Sequence, residues 1–175
     1  MNTAGTLSET TPSDNEIALT RVFNAPRQLV FDAWTKPELL RRWYTGDGAV
    51  LDTCDVDLRP AGRYRYVWKM AQGEMGMSGE FLEVEPPAHF VCTMEHDMPW
   101  YPGGTVMTAE FAEEGRQTTL LLILKFDSKE ARDMLASSPW AEKYGEGFIV
   151  LDGVLADVVV SKDTDPEGGI EWLIR

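Results

Sequence analysis

The strongest periodic signal in this chain is one apolar stripe towards its C-terminal end. Large apolar residues recur there at spacings of 4, 4, 3, 4 and 3, the period of one face of an α-helix. Ser138-Pro139 precedes the stripe and is typical of a helix start, with serine as the N-cap and proline in the first turn. The pattern predicts one long amphipathic helix whose buried face carries Trp140, Tyr144, Phe148, Leu151, Leu155 and Val158.

The middle of the chain has a different period, in which apolar and polar residues alternate. In RYRYVWK, Tyr64, Tyr66 and Trp68 fall on one face and the basic residues on the other. Such alternation, in short runs separated by turn residues, predicts an antiparallel meander with one buried face. Gly79 marks a candidate bulge. We expect six strands, at about residues 50–58, 63–69, 77–84, 89–96, 104–112 and 117–126.

One further strand and two short helices are predicted before the meander. Residues 16–23 have a strand-like apolar pattern, and Pro26 then suits the first turn of a helix that continues through Trp34. The residues Thr35-Lys36-Pro37-Glu38 fit a capping box, in which Thr35 is the N-cap of a second short helix.

The charge of the chain bears on its partners. Its 175 residues include 29 acidic and 16 basic side chains, a formal net charge of −13. Such a chain repels phosphate backbones and anionic lipid surfaces, so neither nucleic acid nor a membrane is expected as a partner. No apolar run approaches the roughly 20 residues that span a bilayer, and the N-terminus lacks the features of a signal peptide. The expected location is therefore the cytoplasm.

The cysteines and histidines indicate neither a disulfide nor a metal site. Cys54 and Cys92 fall on strands predicted to lie three positions apart, roughly 14 Å at about 4.8 Å per strand. A disulfide needs Cα atoms within about 7 Å, so both thiols are expected to stay free. His89 and His96 are seven residues apart in one predicted strand, and this odd offset points them to opposite faces. We expect no metal and no other cofactor.

Three segments of the chain resemble a known family. They are RVFNAPRQLVFDAWTKPELLRRW at 21–43, DLRPAGRYRYVW at 57–68 and GEFLEVEPPAHFVCTMEHD at 79–97. These segments are similar to bacterial proteins related to the C-terminal domain of the activator of the heat-shock-protein-90 ATPase. That family belongs to the START and birch-pollen-allergen superfamily, also called SRPBCC, and it has no shared catalytic motif. The resemblance covers about residues 16–160.

The resemblance implies a helix-grip fold of the α+β class. A curved antiparallel sheet, here of seven strands, wraps round one long C-terminal helix, with two short helices beside it, and leaves a cavity between sheet and helix. This domain is expected over residues 16–160. We expect a disordered polar tail at residues 1–15, and a linker with a short apolar tail at residues 161–175.

The candidate ligand-binding residues are large side chains of the sheet and the long helix, with Trp34 and Trp43 at the base of the cavity and Trp100 on a loop at its mouth. Longer connections at 44–49, 70–76, 97–104 and 127–138 are expected at its mouth. Bulky aromatic side chains leave gaps more readily than small aliphatic ones, and methionine fills irregular space. The predicted lining consists of Trp34, Trp43, Tyr64, Tyr66, Trp68, Met94, Trp100, Met107, Phe111, Leu122, Leu124, Trp140, Tyr144 and Phe148.

Three functions stay open at this point. The first is the binding of an apolar or aromatic small molecule, oriented by the hydroxyls of Tyr64 and Tyr66. The second is a cavity enzyme of the cyclase or hydrolase type, which needs a positioned acid or base. Its candidate residues are the same two tyrosines, His96 and Glu110, although Glu110 is expected to point outward. The third is an interaction with a chaperone or another stress-response partner.

Overall fold

The computed structural model describes residues 4–46 and 48–164, with side chains described as far as Ser161. Its strands are β1 (Leu7–Thr10), β2 (Glu16–Phe23), β3 (Val50–Val56), β4 (Arg63–Met70), β5 (Gly73–Glu85), β6 (His89–His96), β7 (Thr105–Glu114) and β8 (Gln117–Phe126). Its helices are α1 (Arg27–Thr35), α2 (Pro37–Trp43), α3 (Lys129–Ala136) and α4 (Trp140–Thr164). The strands form one curved, open antiparallel sheet in the order β1-β2-β8-β7-β6-β5-β4-β3. The predicted α+β architecture with a long C-terminal helix is confirmed.

The sheet has eight strands rather than the predicted seven. The additional strand, β1, lies within residues 1–15, which were expected to form a disordered tail. It pairs with β2 from Leu7, opposite Arg21, to Thr10, opposite Ala18. Periodicity does not reveal β1 because the strand has only four residues, of which only Leu7 is apolar and packs against the core. At the other end of the domain, α4 continues past residue 160 to Thr164, and residues 165–175 lie outside the described residues.

Both predicted helix caps are wrong. Thr35 is the last residue of α1, where it is buried and its hydroxyl donates to Phe31 O at 2.9 Å. The N-cap of α2 is Lys36, which makes no side-chain cap hydrogen bond. The Ser138 hydroxyl likewise donates backwards, to Leu135 O at 2.7 Å, rather than capping α4. A hydroxyl between two helices can cap the following helix or donate to a main-chain oxygen of the preceding one. Both hydroxyls donate to the preceding helix.

The prediction of a long loop at residues 70–76 is also wrong. β4 ends at Met70 and β5 begins at Gly73, so a two-residue turn joins them and most of the expected loop is strand. Gly73 has φ +139°, a conformation that favours glycine. Met75 therefore lies in β5, and the hairpin extends beyond the core as a pair of strands.

Gly79 is not the site of a bulge. The register irregularity between β5 and β6 falls between Phe81 and Glu83. Gly79 instead lies opposite Tyr64 in the β4–β5 pair, and a Cβ at this position would collide with the Tyr64 ring and with Thr93 O. The glycine is needed because a tyrosine ring covers the main chain there.

The long helix α4 packs on the concave face of the sheet. The Phe148 ring meets Phe23 of β2 edge-on, with centroids 5.6 Å apart. Arg21, also on β2 and buried, donates to Phe148 O at 3.0 Å and forms a two-point ion pair with Asp152 at 2.9 and 2.6 Å. At Gly147, the helix comes close to Trp43 of α2. Ring packing and one ion pair thus attach the helix to both the sheet and the short helices.

Neither cysteine of the chain forms a disulfide. Cys54 and Cys92 are free and buried, as predicted, on β3 and β6, three sheet positions apart. Burial raises the pKa of the Cys54 thiol to about 11 and that of Cys92 to about 12. No helix within residues 4–46 and 48–164 is both long and apolar enough to cross a membrane.

Candidate functional site

Aromatic side chains from α1, α2 and α4 meet on the concave side of the sheet. Trp34 at the end of α1 packs against Trp43 of α2, with ring centroids 5.0 Å apart. Tyr44, which directly follows α2, packs on Trp43 at 5.1 Å. Trp34 also stacks on Tyr144 of α4, at 6.4 Å and an interplanar angle of 8°. The bend between the two short helices therefore brings their rings against the long helix.

Tyr44 lies between this group and the sheet. Its ring meets Tyr66 and Trp68 of β4 edge-on, at 5.8 and 5.2 Å. Its hydroxyl is 2.8 Å from the Tyr144 hydroxyl, and Trp140 packs edge-on against Tyr144 at 5.5 Å. Six residues that form one connected group are called the aromatic cluster below: Trp34, Tyr44, Tyr66, Trp68, Trp140 and Tyr144.

Sequence reasoning missed Tyr44, the most connected ring of the cluster. It falls in the connection 44–49, where neither the helical nor the strand period assigns a direction to a side chain. A tyrosine immediately after an apolar helix end was the only available signal. Its main-chain oxygen accepts a hydrogen bond from Trp68 Nε1 at 2.7 Å, which links the end of α2 to β4.

The predicted lining residues differ in how much surface they keep. One set is fully packed, with exposed fractions of 0–2%: Trp43, Phe111, Leu122, Leu124 and Phe148. A second set keeps exposed fractions of 4–7%: Trp34, Tyr64, Tyr66, Trp68, Met94, Met107 and Trp140. Tyr144 is half-buried. The first set belongs to the core, whereas the second set and Tyr144 are the candidates for contact with a small molecule.

The three tyrosines of the cluster have hydroxyl groups whose pKa values are raised by burial. Tyr44 and Tyr144 are only half-buried, yet burial raises the pKa of Tyr144 to about 12 and holds the pKa of Tyr44 well above its ordinary value. Burial likewise raises the pKa of the Tyr66 hydroxyl well above its usual range. The three hydroxyls therefore stay protonated at neutral pH and can act as hydrogen-bond donors.

Two of the four tryptophan N–H groups in this region have a hydrogen-bond acceptor among the described residues, and two do not. Trp43 Nε1 donates to Ala33 O, and Trp68 Nε1 donates to Tyr44 O, each at 2.7 Å. In the described part of the chain, Nε1 of Trp34 and Nε1 of Trp140 are buried without any acceptor. A buried donor left unpaired costs about 1–3 kcal/mol. The rings of both indoles contact Tyr144 of the cluster.

The candidate acid–base residues do not form a pair. Glu110 is exposed on β7, and Tyr64 donates its hydroxyl hydrogen to Thr93 O at 2.7 Å. Burial lowers the pKa of His96, so its ring is neutral at neutral pH. Because the aromatic cluster contains no carboxylate, histidine or lysine, its only ionisable groups are tyrosines with raised pKa values. Among the described residues, no group of three or more histidine, cysteine, aspartate or glutamate side chains could hold a metal ion.

Two surface concavities stand out in the described residues, and neither is lined by a residue of the aromatic cluster. One, of about 660 Å³, is an open depression on α3 lined by Lys129, Glu130 and Met134, among others. The other, of about 270 Å³, lies between Val22 and the Asp152 side of α4. Trp100 is 54% exposed and lies outside the cluster. An open internal cavity therefore stays a prediction, and the cluster is the place where it would form.

Comparison with known proteins identifies the family. The family model described as "Activator of Hsp90 ATPase homolog 1-like protein" matches residues 24–147. The chain belongs to this family, which is part of the SRPBCC superfamily. Among curated proteins, no sequence matches the chain.

Solved structures show the same fold. A protein from Rhodobacter sphaeroides is 26% identical with a TM-score of 0.83, and the match covers 86% of this chain and 98% of that one. Protein NE0264 from Nitrosomonas europaea is 23% identical with a TM-score of 0.75, covering 86% and 99%. PFC0360w, an HSP90 activator from Plasmodium falciparum, is 19% identical with a TM-score of 0.58, covering 79% and 96%. These similarities establish the fold and assign no ligand to this family member.

Proposed function

We propose that this protein binds a small apolar or aromatic molecule that carries a hydrogen-bond acceptor, and that the aromatic cluster is its binding site. The observation that carries the proposal is the pair of buried indole N–H groups, on Trp34 and Trp140, that have no acceptor among the described residues. The rings of both tryptophans contact Tyr144, so the ligand's acceptor is proposed to lie in this part of the cluster. The cytoplasmic location expected from the sequence is part of the same proposal.

The walls of the cluster suit such a ligand. Rings surround Tyr44 on several sides, and aromatic pairs in edge-on or offset geometry contribute about 0.5–1.5 kcal/mol each beyond burial of their surface. Because Tyr44 already makes these contacts, a ligand either fits beside it or takes its place. Tyr44 follows the last residue of α2 and is half-buried, so it can move without unfolding a helix.

The test compares a tryptophan whose N–H group has no acceptor in the described structure with one whose N–H group is already hydrogen-bonded. Trp140→Phe removes an unpaired N–H and keeps an aromatic ring, so the free protein should keep its melting temperature or gain slightly. The affinity for a neutral aryl ketone, measured by titration calorimetry, should fall roughly 5–10-fold, the equivalent of one hydrogen bond. Trp43→Phe is the matched control. It removes an N–H that already donates to Ala33 O and should destabilise the free protein by about 1 kcal/mol.

Two outcomes would contradict the proposal. One is a panel of neutral aryl ketones, esters and phenols, none of which raises the melting temperature of the wild-type protein. The other is binding that Trp140→Phe and Trp34→Phe leave unchanged, which would place the ligand outside the aromatic cluster.

A second candidate function follows from the family rather than from the cluster. Since the matching family is named for activation of the Hsp90 ATPase, association with a chaperone of that type is a separate proposal. The measurement is the ATP hydrolysis rate of the chaperone with and without this protein. An unchanged rate, together with no co-elution of the two proteins, would exclude this candidate function.

A further inference from the structure

Exposed apolar side chains gather at the end of the sheet where β4 joins β5 and β6 leads to β7. Met70 and Met75 come from the β4–β5 hairpin, and Met98 and Trp100 come from the β6–β7 connection. All four are exposed, Met98 by 80% of its surface and Trp100 by 54%. These four residues are called the rim. Large apolar side chains exposed as a group indicate a binding surface more often than isolated ones do.

The rim continues the face of the sheet that carries the aromatic cluster. Side chains two and four residues apart on a strand share a face, so Met70 lies on the same face of β4 as Tyr66 and Trp68. Trp68 is paired with Met75 on β5, and Met75 shares its face with buried Met77. The hairpin therefore carries one uninterrupted apolar face from the cluster outwards.

The neighbouring strand completes this surface. His96 shares the inner face of β6 with buried Met94, and Met77 is its partner across the β5–β6 pair. The Trp100 ring lies 6.2 Å from the His96 ring. Asp97 N–H donates to Gly76 O at 3.0 Å, which holds the beginning of the connection, just before Met98, beside β5. The two sides of the rim thus adjoin each other.

The charged groups around the rim disfavour an anionic occupant. Lys69 pairs with Asp52 at 3.0 Å, and Arg65 pairs with Asp97 at 2.6 Å, so these two nearby cations already have carboxylate partners. Glu74, beside the hairpin turn, is exposed and adds negative charge. An anionic ligand would meet a protein of net charge −13 with no free cation in the cluster to balance it.

From this continuity we infer that the ligand is an elongated molecule without negative charge. Its acceptor end lies in the aromatic cluster and its apolar end extends along the hairpin onto the rim. The inference rests on the proposed function. The strand from Tyr66 to Met70 advances four residues, roughly 13 Å at about 3.3 Å per residue, which exceeds the size of one aromatic ring.

A chain-length series tests this inference. The probes are phenyl alkyl ketones from methyl to octyl, whose carbonyl is the acceptor and whose alkyl group lengthens one CH₂ at a time. Once the chain reaches the rim, affinity measured by titration calorimetry should rise about 3–4-fold per CH₂, the transfer value of about 0.8 kcal/mol. Changing Met75 and Met98 together to serine should reduce this gain for the long ketones and leave the methyl ketone unaffected. Met134→Ser, at an exposed methionine on α3, is the matched control and should change nothing.

The outcomes separate the two proposals. If no ketone binds, the proposed function itself fails. If the short ketones bind but affinity does not rise with chain length, only the elongated ligand is excluded. Equal losses in the Met75/Met98 and Met134 variants would show that chain length acts through general hydrophobicity, and that result also overturns the inference.

Discussion

Tyr44 is the residue whose removal tests the structure of the cluster most directly. Its ring contacts Trp34, Trp43, Tyr66, Trp68 and Tyr144, and its hydroxyl bonds that of Tyr144 at 2.8 Å. Removal of a large buried ring costs about 3–5 kcal/mol. Because Tyr44 is half-buried, we expect Tyr44→Ala to lose about 3 kcal/mol, the low end of that range. For a chain of this size, that loss lowers the melting temperature by roughly 6–12 °C.

The assay measures whether a small molecule that replaces the deleted side chain restores the melting temperature of Tyr44→Ala. p-Cresol has the shape of the deleted side chain, and at ten times its dissociation constant it should return about 1.4 kcal/mol, or roughly 3–6 °C, to Tyr44→Ala. Tyr44→Phe is the control, since it keeps the ring and loses only the hydroxyl. It should lose about 0.5–1.5 kcal/mol and gain less from p-cresol than the alanine variant. A loss below about 1 kcal/mol in Tyr44→Ala, with no rescue, would refute the enclosed packing around Tyr44.

Three further measurements follow from the contacts. Arg21→Ala should lose roughly 2–3 kcal/mol in urea unfolding, less than the about 3–5 kcal/mol of a fully buried pair, because Asp152 is 44% exposed. A loss below about 1 kcal/mol would show that the pair does not fix α4. Burial lowers the folded-state pKa of His96, so its contribution to stability is complete above its unfolded pKa of about 6.5 and decreases as the pH falls below that value. When the pH is lowered from about 7.5 to about 5, the melting temperature of His96→Gln should therefore fall less than that of the wild type. Equal falls in the two proteins would contradict this reasoning. The raised pKa values of the two thiols, about 11 for Cys54 and about 12 for Cys92, should slow their reaction with a disulfide reagent by at least about 10-fold relative to the unfolded chain. Fast labelling of either thiol would disprove its burial.

Much of the fold could be predicted because each long element carries its own period. The stripe of α4 is buried at Phe148, Leu151, Leu155 and Val158, and β2, β6 and β8 have the predicted bounds. Elements without an internal period were predicted poorly. β1 is held by main-chain pairing at a sheet edge, and the turn at residues 71–72 depends on a glycine conformation that the sequence alone does not specify. The caps failed because the same hydroxyl can serve either of two neighbouring helices.

The site was only partly predictable, for the same physical reason. Alternation directs Tyr66 and Trp68 inward correctly, but it gives no information on whether two inward rings touch or leave space between them. Phe111, Leu122 and Leu124 have the same pattern and prove to be packed core. The satisfied and unsatisfied indoles also look alike in the sequence, because their acceptors are main-chain oxygens brought near by packing.

By itself, the sequence determined which faces are apolar, and therefore that a meander must cover one long helix. These are local properties, since burial of a stripe depends on the spacing of residues along one element. Only the tertiary structure decided that Tyr44 lies between sheet and helix, that Arg21 pairs with Asp152, and that two indole N–H groups have no acceptor. Each of these facts depends on distances between segments remote in the chain, and such distances are fixed only when all the elements pack together.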